Sequence, residues 1–142
     1  MLKTILQASE NFCIHQIRLP HKIIKSIPKK RTLIAYIDID THDNKKYRVY
    51  IASEHGFIQK ISKLFLEEDE SDEETLVDML LETTNLIVGS AKVIAEEESE
   101  NFFTINTPHF EKIDVFNFAY DDARAIKVQG DKMIIAIKEL NV

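Results

Sequence analysis

The sequence predicts an α/β fold of the α+β kind: a largely antiparallel sheet with two long helices packed on it. Two observations carry this expectation. Apolar residues recur at helical spacing in two central stretches. Several runs of β-branched and aromatic residues are joined by short polar turns, which suit antiparallel pairing. The 142 residues match the commonest size of a domain with one core, so a single domain over residues 1–142 is expected. A composition that is 44% hydrophobic and 30% charged, with three glycines and three prolines, describes an ordinary globular chain.

The first thirty residues are the least legible. Leu2, Ile5 and Leu6 can line a short helix, and Phe12 to Leu19 reads as a strand. Pro20 and Pro28 bracket Ile23, Ile24 and Ile27; each proline fixes φ and removes a backbone donor, which limits regular structure there. Leu33 to Ile39 and Tyr47 to Ala52 are rich in strand formers, and the polar stretch Thr41 to Lys46 joins them into a β-hairpin. Ser53 is the expected cap of a helix with Phe57, Ile58, Ile61, Leu64 and Phe65 on its apolar side.

Glu67 to Glu74 holds seven carboxylates in eight residues. Such a run repels itself and prefers water. Its second half suits the start of the next helix, where acids meet the positive end of the helix dipole. A docking surface for a basic partner is the alternative use. The longest helical pattern runs from Glu73 to about Ala95, with Leu76, Val77, Leu80, Leu81, Thr84, Ile87, Val88 and Ala91 on a broad apolar arc. Phe102 to Ile105, Ile113 to Phe118, Arg124 to Gln129 and Met133 to Lys138 read as strands, the last two flanking a tight turn at Gly130-Asp131.

Charge and composition narrow the function classes. A net charge of −6 argues against nucleic acid as the main partner, since that affinity comes from clustered Lys and Arg. The cluster Lys29-Lys30-Arg31 reads as a solvated loop. Cys13 is the only cysteine, so no internal disulfide forms, which suits a reducing cytoplasm. It lies between Phe12 and Ile14, a setting for a buried, inert thiol. The N-terminus has no convincing secretory h-region, and no stretch approaches the roughly 18 apolar residues of a membrane span; neither secretion nor membrane insertion is expected. His15, His21, His42, His55 and His109 show no metal-ligand spacing, and Gly-rich phosphate loops and nucleophile elbows are missing.

The outer face of the long helix carries the functional signal. With Asp78 at zero, Glu82 falls near 40°, Asn85 near −20° and Gly89 near 20°, taking about 100° per residue. All four share one narrow polar stripe. Asn and Gly are both poor choices in a helix interior, Gly by up to about 1 kcal/mol relative to Ala. Bare backbone at Gly89 would let another molecule approach beside Asn85. The alternative is that Gly89 only admits a neighbouring strand of the same chain and Asn85 is an incidental surface residue.

Asp78-Met-Leu-Leu-Glu82-Thr-Thr-Asn85, followed after 22 residues by Pro108, resembles the signature of the CheC/CheX/FliY phosphatases: Asp or Ser, three residues, Glu, two residues, Asn, 22 residues, Pro. Asn85-Leu-Ile-Val-Gly89-Ser-Ala-Lys92 is also similar to the stretch that follows the Asn in that family. The single Glu-x-x-Asn site is similar to that of CheX-like members. The resemblance covers the chain from about Thr32 to Lys138, while the N-terminal segment looks shorter than the helix that opens CheX-like proteins.

That resemblance implies a cytoplasmic chemotaxis protein that hydrolyses the aspartyl phosphate of CheY or a related receiver domain. It implies that Asn85 positions the water and Glu82 meets the receiver's lysine, with Asp78, Gly89 and Pro108 in supporting places. No cofactor of its own is implied, since Mg²⁺ belongs to the phosphorylated receiver, and a homodimer is expected. The competing expectation is a noncatalytic module of the same fold that binds a receiver or a flagellar switch component.

Overall fold

A computed structural model describes residues 1–98 and 102–140. Among these residues seven strands form one antiparallel sheet: β1 (Lys22–Ile24), β2 (Arg31–Thr41), β3 (Lys46–Glu54), β4 (Phe103–Ile105), β5 (His109–Val115), β6 (Asp122–Val128) and β7 (Asp131–Leu140). Their order is β1-β6-β7-β3-β2-β4, with β5 paired to β2 as well. Three helices, α1 (Leu2–Phe12), α2 (His55–Leu66) and α3 (Glu73–Glu97), cover one face. The expected antiparallel α+β architecture is therefore present, with a third helix at the N-terminus.

Alternation along β2 explains the layering. Leu33, Ala35, Ile37 and Ile39 face the helices, where they join Val49, Ile51, Ile135, Leu80 and Ile87 in the main core. Full burial of each large aliphatic side chain contributes roughly 2 kcal/mol. The intervening Ile34 belongs to a second cluster on the other face, with Tyr50, Ala52, Phe116, Ala123, Ile134 and Ala136. The centre of the sheet is thus apolar on both sides, and the β2–β3 register, from Thr32 opposite Glu54 to Asp40 opposite Lys46, is tightly specified.

Several expectations need correction. Phe12 to Leu19 is not a strand: α1 continues into a π-helical turn over Cys13–Ile17, closed by the Arg18 N–H donating to the Cys13 carbonyl at 2.8 Å. Phe12, Cys13 and Ile17 are buried there among residues of α2 and α3, so tertiary packing overrides a strand-like composition. Ser53 does not cap α2. It stays in β3, fully buried, with its hydroxyl donating to the Glu54 carbonyl, because β3 runs on to Glu54. Leu64 and Phe65 are 48% and 40% exposed: α2 ends at Leu66, and its last turn overhangs the core, where Phe65 meets Phe12 edge-on at 6.2 Å.

The strand expected at Ile113 to Phe118 begins earlier and stops at Val115. Phe116 and Phe118 instead fold over the second face, with ring centroids 5.4 and 5.0 Å from Tyr50, covering apolar sheet that would otherwise be wet. The β6–β7 turn is Gln129-Gly130, one residue before the expected pair; both have positive φ, 50° and 87°, and Val128 pairs with Asp131. That is the primed geometry that matches strand twist. Asp131 is thereby released from the turn to meet Lys60 of α2.

The acidic run behaves as a helix-starting linker. Glu67 closes α2 in the left-handed conformation. Asp72 Oδ1 accepts the Thr75 N–H at 2.8 Å, capping α3. Between them Ser71 N donates to Gln59 Oε1 at 2.9 Å. The carboxylates themselves stay exposed.

Candidate functional site

α3 is a rigid platform with a buried side and a bare one. Leu76, Leu80, Thr83, Thr84, Ile87, Val88, Ala91 and Ala95 are buried, whereas Asp78, Glu82 and Asn85 are exposed. The two threonines inside the Glu-Thr-Thr-Asn segment point inward. Thr84 Oγ1 donates to the Leu80 carbonyl at 2.8 Å, and Thr83 Oγ1 has no partner among the described residues. This inward pair leaves Glu82 and Asn85 on the outer surface, held by helix backbone.

The polar interactions along α3 are the Asp72 cap, the Thr84 back-bond and the exposed Lys92–Glu96 pair at 3.7 Å. Asp78, Glu82 and Asn85 take no part in them. Two carboxylates and an amide therefore stand free, with no cation of the described chain neutralising them.

They face an open groove of about 560 Å³. One wall is Asp78, Leu81, Glu82 and Asn85; the other is Ile105, Asn106, Thr107 and Pro108. Pro108, separated from Asn85 by 22 intervening residues, thus lies across the groove from the helix stripe. Leu81 and Ile105 give the groove apolar flanks, and Asp78 and Glu82 make it acidic. It suits a protruding segment that carries a cation and an apolar shoulder.

Gly89 lies one turn beyond Asn85 and outside the groove lining. A Cβ placed on it would meet nothing within 4 Å, so no strand among the described residues requires the glycine. That removes the alternative in which Gly89 serves internal packing, and it leaves smooth, accessible backbone beside Asn85.

Asn106 and Thr107 were not singled out by the sequence reading. The signal was the Asn-Thr-Pro run, a turn-forming combination, whose apposition to α3 depends on sheet register. Elsewhere Cys13 is fully buried, and burial, reinforced by Glu10, pushes its thiol up to about 11; it is an inert thiol. Among the described residues no cluster of three or more His, Cys, Asp or Glu could hold a metal ion, and no helix is long and apolar enough to cross a membrane.

A protein-family model described as chemotaxis phosphatase CheX matches residues 36–129, well over half of the chain. The chain belongs to the CheX family. Solved structures agree with this CheX fold. A CheX chemotaxis protein from Vibrio vulnificus is similar at 21% identity and a TM-score of 0.78, covering 96% of this chain and 97% of that one. A CheC-like superfamily protein from a Shewanella species is similar at 18% identity and a TM-score of 0.77, covering 99% and 97%. The CheX of a CheX–CheY–BeF3–Mg²⁺ complex from Borrelia burgdorferi is similar at 14% identity and a TM-score of 0.68, covering 99% and 97%. No curated protein matches the chain.

Proposed function

We propose that this CheX-family protein hydrolyses the aspartyl phosphate of CheY or a related receiver domain, and that the outer stripe of α3 docks in the receiver's active site. The observation that carries the reading is the unpartnered pair Glu82 and Asn85, one turn apart on a rigid helix beside an open acidic groove. The family's designation as a chemotaxis phosphatase supports it. So does the Borrelia relative found with CheY.

Asn85 carries an amide with both a donor and an acceptor and no proton to lose at neutral pH. It can hold a water by two hydrogen bonds in line with the phosphorus, a positional contribution rather than base catalysis. The water oxygen bonds to phosphorus as the bond to the aspartyl oxygen breaks. The products are inorganic phosphate and a free carboxylate, a leaving group stable enough to depart without a general acid. The Mg²⁺ expected in the receiver would offset charge on the phosphoryl oxygens.

Glu82 offers its carboxylate to the receiver's lysine as a charge-assisted hydrogen bond. Asp78, one turn toward the helix start, adds negative charge to the same surface. Gly89 allows close approach, and Pro108, which lacks an N–H and has a fixed φ, shapes the facing wall. The division of labour is testable by phosphate release from phosphorylated receivers. Asn85→Ala lowers kcat by about 100-fold while receiver binding persists, and Glu82→Ala weakens binding. Unchanged release by a folded Asn85→Ala protein sinks the reading.

A further inference from the structure

The wall opposite α3 is built by an irregularity in the sheet. Ile105 lies opposite Ile39 of β2, and His109 lies opposite Tyr36. Two residues of β2, Ile37 and Asp38, therefore face three residues of the partner strand, Asn106, Thr107 and Pro108. The extra residue makes the β4–β5 connection a bulge, a device that bends a strand and re-aims its side chains. Pro108 has no N–H to offer β2, so the ladder cannot hold this segment by itself.

Asn106 supplies what the ladder lacks. Its backbone N–H donates to the Asp38 carbonyl at 2.9 Å. Its side-chain Nδ2 donates to the same carbonyl at 3.0 Å and to Asp40 Oδ2 at 3.1 Å. Three hydrogen bonds from one residue thus tie the start of the bulge to the end of β2. Beyond it, Thr107 and Pro108 complete the groove with Glu82 and Asn85.

We propose that Asn106 is a positioning residue of the docking groove: its amide, bound to Asp38 and Asp40, holds Thr107 and Pro108 opposite the α3 stripe, so that the receiver meets a preformed slot. The inference rests on the receiver-docking reading above. A preformed slot saves the ordering cost that a loose wall would charge at each encounter. The effect therefore falls on receiver affinity and leaves turnover of the bound complex nearly untouched.

The test measures two quantities on the full chain: affinity for a receiver loaded with beryllofluoride and Mg²⁺, and kcat and KM for phosphate release. Loss of the side-chain bonds in Asn106→Ala weakens binding and raises KM about tenfold, with kcat within about twofold of wild type. Asn106→Asp keeps the shape but replaces the donor with a carboxylate facing Asp40, and is at least as damaging. Asp40→Ala removes one acceptor, gives a smaller loss of about threefold, and carries the test if the Asn106 variants do not fold.

Folded Asn106 variants that bind the receiver like wild type overturn the positioning role even if wild type is an active phosphatase. A wild-type protein that binds the receiver without releasing phosphate overturns the proposed hydrolysis, and the positioning role is then decided by the binding data. Wild-type protein that binds no receiver overturns both.

Discussion

Gly89 follows Asn85 by one helical turn on the exposed side of α3, and open space lies where its Cβ would be. A helical glycine there costs up to about 1 kcal/mol relative to alanine. Among the described residues no internal contact requires it, and its bare backbone lies beside the Asn85 side chain.

Gly89→Ala should accordingly stabilise the protein, raising Tm by about 3 °C, while weakening receiver binding. Gly89→Leu should impair binding further without lowering Tm below wild type. Calorimetry and receiver titration check the pair; a stabilised variant with undiminished affinity would remove Gly89 from the docking surface.

Asn85→Ala should lower kcat by about 100-fold through loss of water positioning and leave Tm within about 1 °C, as expected for a surface substitution. Glu82→Lys should act mainly on KM, by setting like charges against each other at the receiver lysine. Steady-state phosphate release with each variant separates the two roles.

Asp72 accepts the Thr75 backbone N–H, and that bond holds its carboxyl below the ordinary carboxylate range. A folded-state pKa lowered in this way contributes stability above the unfolded value of about 4, lost as pH falls through the folded value. Asp72→Ala should therefore lower Tm at pH 7, and the gap to wild type should shrink as pH drops from 5 to about 2. Thermal melts across that range check it. A gap that stays constant would mean the carboxylate's charge is immaterial to the cap.

Cys13 should be unreactive toward thiol reagents in the folded protein at pH 8 and react fully in denaturant. Because burial raises its thiol from 9.0 to about 11, the associated stability is complete below pH 9 and is lost as pH rises toward the folded value. Wild type should lose stability between pH 9 and 11 more steeply than Cys13→Ala, a difference measurable by denaturant titration at several pH values.

Much of this protein is readable locally. The β2–β3 hairpin, both long helices, the acidic helix start and the Asp78, Glu82, Asn85, Gly89 stripe follow from periodicities of two and 3.6 residues and from the angular advance of a helix, properties of neighbouring residues. The segments misread are those where distant contacts outweigh local preference. Phe12 to Ile17 continues α1 because Phe12, Cys13 and Ile17 join the core that α2 and α3 share. Phe116 and Phe118 leave the strand pattern because Tyr50 and the second sheet face need covering.

The stripe itself was determined by the sequence alone, because spacing on one helix decides which side chains share a face. Its surroundings were decided only by tertiary structure. That Pro108 lies across the groove from Glu82 and Asn85 depends on how β4 and β5 register against β2, on a bulge of one residue, and on the Asn106 amide that holds it. Such register is a long-range property, because hydrogen bonds between strands some 68 residues apart in the chain leave no periodic trace in either strand.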